Sequence, residues 1–257
     1  MIRLIDSHVH LDDHAFDPDR SAVIGHASTA GVEAMVVPGV DKASWSRIDA
    51  LCANHNQIFA AFGLHPMFLR NHAPSDVDAL STWLETHPAV AVGEIGLDFF
   101  VSDLDHDLQR HYFTAQLQIA RQRNLPVIVH ARAALEEVSL TLRRIGNLSG
   151  VVHSFSGSEQ QAKNLWDIGF MLGIGGPVTY ERARRLRRIV ASMPIEFLML
   201  ESDAPDQPDA RHRGQRNEPA RVADILHCVA ELRSESPEHV AAATSANARR
   251  LFNLPTA

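Results

Sequence analysis

The sequence predicts a (β/α)8 barrel with a metal site at the carboxyl ends of its strands. Three observations carry this expectation. Short apolar runs of strand length recur along the chain, and nearly every interval between them shows a helical pattern. At 257 residues the chain has the length typical of one α/β barrel and is long for one sandwich. Histidines and carboxylates stand where several of the apolar runs end, the place where such barrels assemble their active sites.

The first apolar run, 2–5, leads into Asp6-Ser7-His8-Val9-His10, and a helix over 19–30 ends at Gly31. Residues 34–38 form the second strand, followed by a helix over 42–54 for which Asp41 is the N-cap. The third strand, 58–63, closes on Gly63-Leu64-His65-Pro66, and a helix over 75–85 is broken by His87-Pro88. The fourth strand, 89–94, ends at Glu94 and is followed by Ile95-Gly96-Leu97-Asp98. The longest helical pattern, 104–124, places Phe113, Leu117 and Ala120 on one face. Strand five, 126–130, is a continuous apolar run ending in His130, as expected of a strand covered on both faces.

A helix over 134–145 precedes strand six, 150–153, which ends in His153. A short helix over 158–169 and strand seven, 170–174, come next. The helix over 183–192 is basic, and strand eight, 197–203, ends in Asp203. A loop rich in Pro and Arg spans 204–219, and helices over 220–232 and 237–252 finish the chain. No repeat, low-complexity tract or linker interrupts this order, so residues 1–257 read as a single domain.

Composition narrows the function classes. A 45% hydrophobic fraction supplies a large core. No apolar run reaches membrane-spanning length, and the N-terminus lacks the charged and apolar regions of a secretory signal. Cys52 and Cys228 are too few and too scattered for a disulfide framework or a thiolate metal site. The chain therefore reads as cytoplasmic, with no membrane partner and no evident obligate protein partner. A formal net charge of −7 argues against broad electrostatic wrapping of nucleic acid, yet leaves room for a local basic cleft beside bound cations.

His8 and His10 are the anchor of the site. Side chains alternate along a strand, so both imidazoles leave its end on one face and converge. Among 15 histidines such a pair alone says little. Glu94, His130, His153 and Asp203 bring the count to six metal-competent residues at five strand ends. Ordinary polar residues leaving strands for solvent do not explain that concentration. Four imidazoles and two carboxylates suit zinc, and manganese or magnesium also accept such ligands. Six ligands exceed one four-coordinate site. A carboxylate bridging two cations about 3.5–4 Å apart uses them economically, and Glu94, on the strand between the two groups, is the natural bridge.

The same stretches resemble the TatD family of metal-dependent deoxyribonucleases, a branch of the amidohydrolase-like barrels. The likeness is carried by Ile5 to Asp12, Gly63 to Pro66, Gly93 to Asp98, Pro126 to Arg132, Val152 to Gly157 and Leu200 to Pro205. It extends to Asn247-Ala248-Arg249-Arg250-Leu251-Phe252 and so spans nearly the whole chain. Pro205-Asp206-Gln207-Pro208 and the stretch Gly214 to Pro219 look most like the bacterial YjjV-type branch. The resemblance implies that His8, His10 and Asp203 hold one divalent cation and His130 and His153 the other, with Glu94 between them. It also implies hydrolysis of DNA phosphodiesters, trimming the ends of single strands, by a metal-activated water that Asp203 orients or deprotonates. DNA, or RNA, is then the substrate partner. Ser202 stands where Thr is usual, and Phe99-Phe100 where Tyr is common; neither departure touches a ligand.

Four further residues have expected roles around the ligands. Glu201, two residues before Asp203, should point into the barrel mouth and hydrogen-bond a ligand or water. Asp6 stands in the same relation to His8 and should orient its imidazole through the other ring nitrogen. His65 and Arg132 are assigned to a substrate phosphate, Arg132 as a planar fork. Arg211, Arg213 and Arg216 are either a phosphate-binding rim or a solvated loop, and the tryptophans Trp45, Trp83 and Trp166 are packing residues. The competing enzyme class is an amidohydrolase or esterase cleaving a C–N or C–O bond with the same two-metal site. A binding protein on a catalytically dead barrel is a third class, disfavoured because every expected ligand is present.

Overall fold

Val127, Ile128 and Val129 are all fully buried, so the uninterrupted apolar run there is a strand covered on both faces. It belongs to a sheet of eight parallel strands arranged in chain order, within a computed structural model that describes residues 2–255. The strands are β1 (Leu4–Asp6), β2 (Val32–Pro38), β3 (Ile58–Phe62), β4 (Ala91–Asp98), β5 (Val127–Arg132), β6 (Gly150–Val152), β7 (Phe170–Ile174) and β8 (Leu198–Leu200). The helices between and after them are α1 (Arg20–Thr29), α2 (Lys42–Asn54), α3 (Asp76–Thr86), α4 (His106–Arg123), α5 (Leu135–Ile145), α6 (Glu159–Trp166), α7 (Arg184–Ser192), α8 (Val222–Arg233) and α9 (Pro237–Phe252). Beyond the ends of β8 and β1, the Ser7 amide donates to the Leu200 carbonyl at 3.0 Å and the Asp203 amide to the His8 carbonyl at 2.9 Å. These bonds draw the last strand to the first and make the sheet a nearly closed barrel.

The barrel interior is filled by one side chain set from all eight strands, including Ile5, Val36, Ala61, Ala91, Ile128, Val151, Met171 and Met199. Ala248 and Phe252 of α9 belong to the same cluster. Asn247 Nδ2 donates to the carbonyls of Ile195 and Leu198 at 2.7 and 2.8 Å, and Ser245 Oγ to that of Arg3 at 3.2 Å. All three acceptors lie where β8 and β1 begin, so α9 plugs the amino-terminal end of the barrel. The opposite end stays open for chemistry. The larger core lies between strands and helices; there Trp45 is 1% exposed and its Nε1 donates to the Gly63 carbonyl at 3.0 Å. A buried indole with its N–H satisfied is a packing residue, as expected.

Strand ends differ from expectation where the site is built: β5 runs on to Arg132, β6 stops at Val152 just before His153, and β4 and β8 differ most. β4 does not stop at Glu94 but runs to Asp98, with its register against β5 shifting between Val92 and Ile95. Gly96 permits the continuation: its φ is +145°, and a Cβ there would collide with the His130 backbone. β8 is shorter than expected and ends at Leu200, because Glu201 to Asp203 leave the sheet and Asp203 turns into the left-handed region at φ 55°.

Candidate metal centre

The first ligand group is built where β1 and β8 end. The Asp6 carboxylate accepts from the Ser202 amide at 2.9 Å, from Ser202 Oγ at 2.6 Å and from the His8 amide at 3.2 Å. It therefore fixes the backbone on which His8 rides. It does not orient the His8 ring as expected, and His8 Nδ1 has no partner among the described residues. His8 Nε2 and His10 Nε2 lie 3.2 Å apart, and Asp203 Oδ1 is 3.5 and 3.6 Å from them. The second group comes from β5 and the turn after β6, with His130 Nδ1 and His153 Nε2 3.3 Å apart.

Glu94 stands between the groups and gives one oxygen to each. Its Oε2 is 3.2 Å from His8 Nε2 and 3.5 Å from His10 Nε2. Its Oε1 is 2.6 Å from His153 Nε2 and 3.2 Å from His130 Nδ1. All six expected ligands are thus brought together, with Glu94 in the expected central place.

The donor set fits divalent cations. A tetrahedral ion with bonds of about 2.0–2.1 Å sets neighbouring ligand atoms about 3.3–3.4 Å apart. The His8–His10 and His130–His153 nitrogen separations match that edge. Burial opposes charge on Glu94, yet the surrounding imidazoles of His153, His65 and His8 hold its carboxyl well below the usual range. Burial also opposes charge on His153, but Glu94 beside it pushes that imidazole up to about 10. Glu94 is 2% exposed and His8 is fully buried, so these groups are withdrawn from water and depend on one another, or on a cation, for compensation.

The surrounding residues divide into those foreseen and those missed. Glu201 is fully buried: its Oε1 accepts from the Ser154 amide at 2.5 Å and lies 3.8 Å from His153 Nδ1. Burial pushes its carboxyl up to about 8. Gly173 leaves the space it occupies, since a Cβ there would collide with the carboxylate. His65 differs from expectation. Its Nδ1 accepts from the Met67 amide at 3.1 Å and its Nε2 faces Glu94 Oε1 at 2.9 Å, so both ring nitrogens are engaged inside the protein. Burial lowers this imidazole to about 4, and His65 forms a metal-competent group with Glu94 and His130 while also lining the cleft above them.

Asp98 and Gln207 were not singled out from sequence. Asp98 Oδ2 meets His130 Nε2 at 2.9 Å, which leaves Nδ1 directed at Glu94. Gln207 Nε2 donates to Asp203 Oδ2 and to Ser154 Oγ. Asp203, Ser154 and Gln207 all have positive φ, at 55°, 47° and 50°. Such backbone costs about 1–3 kcal/mol per residue and persists where packing over-determines it. The period-two relation of Glu94, Gly96 and Asp98 was the signal for Asp98, hidden by ending the strand too early.

Above the ligands opens a cleft of about 790 Å³ lined by His10, Arg132, Phe68 and Asp203 among others. Arg132 is exposed, and its guanidinium lies 3.8 Å over the Phe100 ring. The Arg-rich loop does not form a phosphate rim with Arg216, which pairs with Asp19 at 2.6 Å and lies 4.8 Å over Phe16.

The profile described as "TatD related DNase" matches residues 5–253. An uncharacterized metal-dependent hydrolase, YjjV of Escherichia coli K12, is 40% identical over 256 residues, covering 98% of this chain and 99% of that protein. The 3'-5' ssDNA/RNA exonuclease TatD of Salmonella typhimurium is 34% identical over 262 residues, covering 98% of this chain and 99% of that one. The crystal structure of the Escherichia coli YjjV superposes with a TM-score of 0.95 at 38% identity over 99% of both chains. A TatD-family hydrolase of Entamoeba histolytica, 19% identical with a TM-score of 0.87 over 98% of this chain and 99% of that one, shares the fold. With the fold, six clustered ligands and a match over nearly its full length, the chain belongs to the TatD-related DNase family of metal-dependent hydrolases.

Proposed function

We propose that this hydrolase cleaves phosphodiester bonds at the ends of single-stranded DNA, using two divalent cations that share Glu94. The division of the Glu94 carboxylate between two histidine pairs carries the reading. His8, His10 and Asp203 would hold one cation, His130 and His153 the other. When bound, such cations supply Lewis acidity, lowering the pKa of water and polarising a phosphoryl oxygen.

The chain's own residues do the rest. Asp98 holds the His130 ring from behind at 2.9 Å, while Glu201 supplies negative charge 3.8 Å from His153 Nδ1 without a hydrogen bond to it. Asp203, whose Oδ1 faces His8 and His10 and whose Oδ2 accepts from Gln207, would orient the attacking water or accept its proton. Arg132 offers its planar fork to the phosphate, where charge develops. The Salmonella relative's named activity on single strands of DNA and RNA supports the choice of substrate. Action in the cytoplasm is in keeping with two free thiols, Cys52 and Cys228.

The test is a substrate panel with zinc, manganese or magnesium supplied: end-labelled single-stranded DNA, duplex DNA and RNA beside simple amides and carboxylic esters. Progressive shortening of single-stranded DNA is expected. Turnover of an amide or ester with no phosphodiester cleavage would replace this reading with the amidohydrolase or esterase class.

A further inference from the structure

Among the described residues five large apolar side chains are well exposed; two of them line the cleft, and a third supports a residue that does. Met67 and Phe68, 43% and 40% exposed, line it, and Phe100, 64% exposed, carries Arg132, which lines it too. Scattered exposed apolar residues need no explanation, but adjacent ones lining the mouth of a site mark a contact surface. Phe68 is fixed close to the ligands: its amide donates to the His65 carbonyl at 3.0 Å, and its ring meets the His65 ring edge-on with centroids 5.8 Å apart. Its backbone breaks the helical turn around it, at φ −95° and ψ 18°.

Charge gives this surface its meaning. Six carboxylates line the cleft, Glu94 and Asp203 among them, against Arg47 and Arg132. Arg47 is occupied by His14 at 2.5 Å and by Asp12 at 3.9 Å. The Arg132 guanidinium has no hydrogen-bond or carboxylate partner among the described residues, and stacking on Phe100 leaves its in-plane N–H groups unused. Two divalent cations would not cancel the charge of all six lining carboxylates. A cleft so poor in free cations cannot hold a nucleic acid by its phosphates alone.

Resting on the single-strand nuclease reading above, we propose that Phe68 is a stacking platform for a nucleobase at the strand end, while Arg132, held flat by Phe100, grips one neighbouring phosphate. An aromatic face accepts every base, so the platform gives grip without sequence preference. Phe100 acts through Arg132 and is a positioning residue.

The two roles separate by experiment. Zinc-loaded protein is titrated against a labelled phosphorothioate oligothymidylate, which resists cleavage, and against an abasic strand of equal length, with binding read by fluorescence anisotropy. Phe68→Ala should weaken binding of the oligothymidylate by about 5- to 100-fold, the range for losing one base–aromatic stack, and leave the abasic strand unaffected. Phe68→Leu should stay weak and Phe68→Trp should restore binding. Phe100→Ala should weaken both strands alike and reduce the slope of log affinity against log salt by about 0.7, one phosphate contact on a single strand. Thermal midpoints check that each variant folds. If the native protein binds both strands and Phe68→Ala binds them as well as it does, or loses both equally, the platform is refuted while the nuclease reading stands. If the native protein neither binds nor cleaves any strand, both fall.

Discussion

Asp98 Oδ2 lies 2.9 Å from Nε2 of His130, on the side of the ring away from Glu94. The same carboxylate accepts from the amides of Phe100 and Val101 at 3.0 and 3.2 Å through its other oxygen. Asp98 thus fixes both the tautomer of His130 and the start of the loop that carries Phe100. Asp98→Asn keeps an acceptor for the amides but removes the charge behind the imidazole. It should weaken divalent-cation affinity about 10- to 100-fold, as loss of such partners generally does. Competition with a chelating dye measures this, and unchanged affinity would leave Asp98 only its loop.

Asp203→Asn tests chemistry apart from ligation. Asn tolerates the left-handed φ of 55°, so the turn should survive. With cation occupancy checked on the same sample and both sites filled, single-turnover cleavage should slow by roughly 10²–10⁴-fold if Asp203 accepts a proton. Full occupancy with a near-native rate would make it a ligand alone.

Arg132→Ala should impair phosphodiester turnover and leave cation content unchanged. Lys at this position should rescue poorly, since an ammonium neither stacks on Phe100 like a guanidinium nor forms its fork. Parallel loss of cations and activity would place Arg132 in the scaffold.

Stability of the protein stripped of cations should fall between pH 6.5 and 8. Burial pushes the Asp6 carboxyl from 3.8 to about 7 and that of Glu201 from 4.5 to about 8, so in this window the folded form holds protons that the unfolded chain has released. His153, pushed from 6.5 to about 10, acts in the same direction, and its contribution too is lost as pH rises. His8, lowered by burial, opposes this only below its ordinary 6.5. Each group contributes at most about 1.4 kcal/mol per pH unit. Glu201→Gln should flatten the decline in denaturation midpoints; a midpoint that climbs from pH 6.5 to 8 would show that these acids are ionised in the folded state.

That six strand-end residues converge was legible in the sequence because strand period and barrel topology turn strand-end residues into neighbours without further information. Element ends were legible where a local signal marks them. The Asp41 cap starts α2, and Pro237 and Asn253 bracket α9. What escaped depends on contacts between distant segments. β4 continues past Glu94 only because the Gly96 backbone lies against that of His130, and Asp98 gains its role through that continuation. Asp6 bonds Ser202, 196 positions away, instead of the imidazole beside it. His65 is drawn inward by Glu94, and Arg132 settles on Phe100; neither pairing has any periodic trace.

Anomalous diffraction from crystals of the metal-loaded protein bears most directly on the proposed two-cation centre. Two peaks should appear at the barrel mouth about 3.5–4 Å apart, one beside His8 and His10 and one beside His130 and His153, with Glu94 contributing an oxygen to each. A single peak under saturating metal, with Glu94 bound to no cation, would mean that the carboxylate between the histidine pairs is not a bridge.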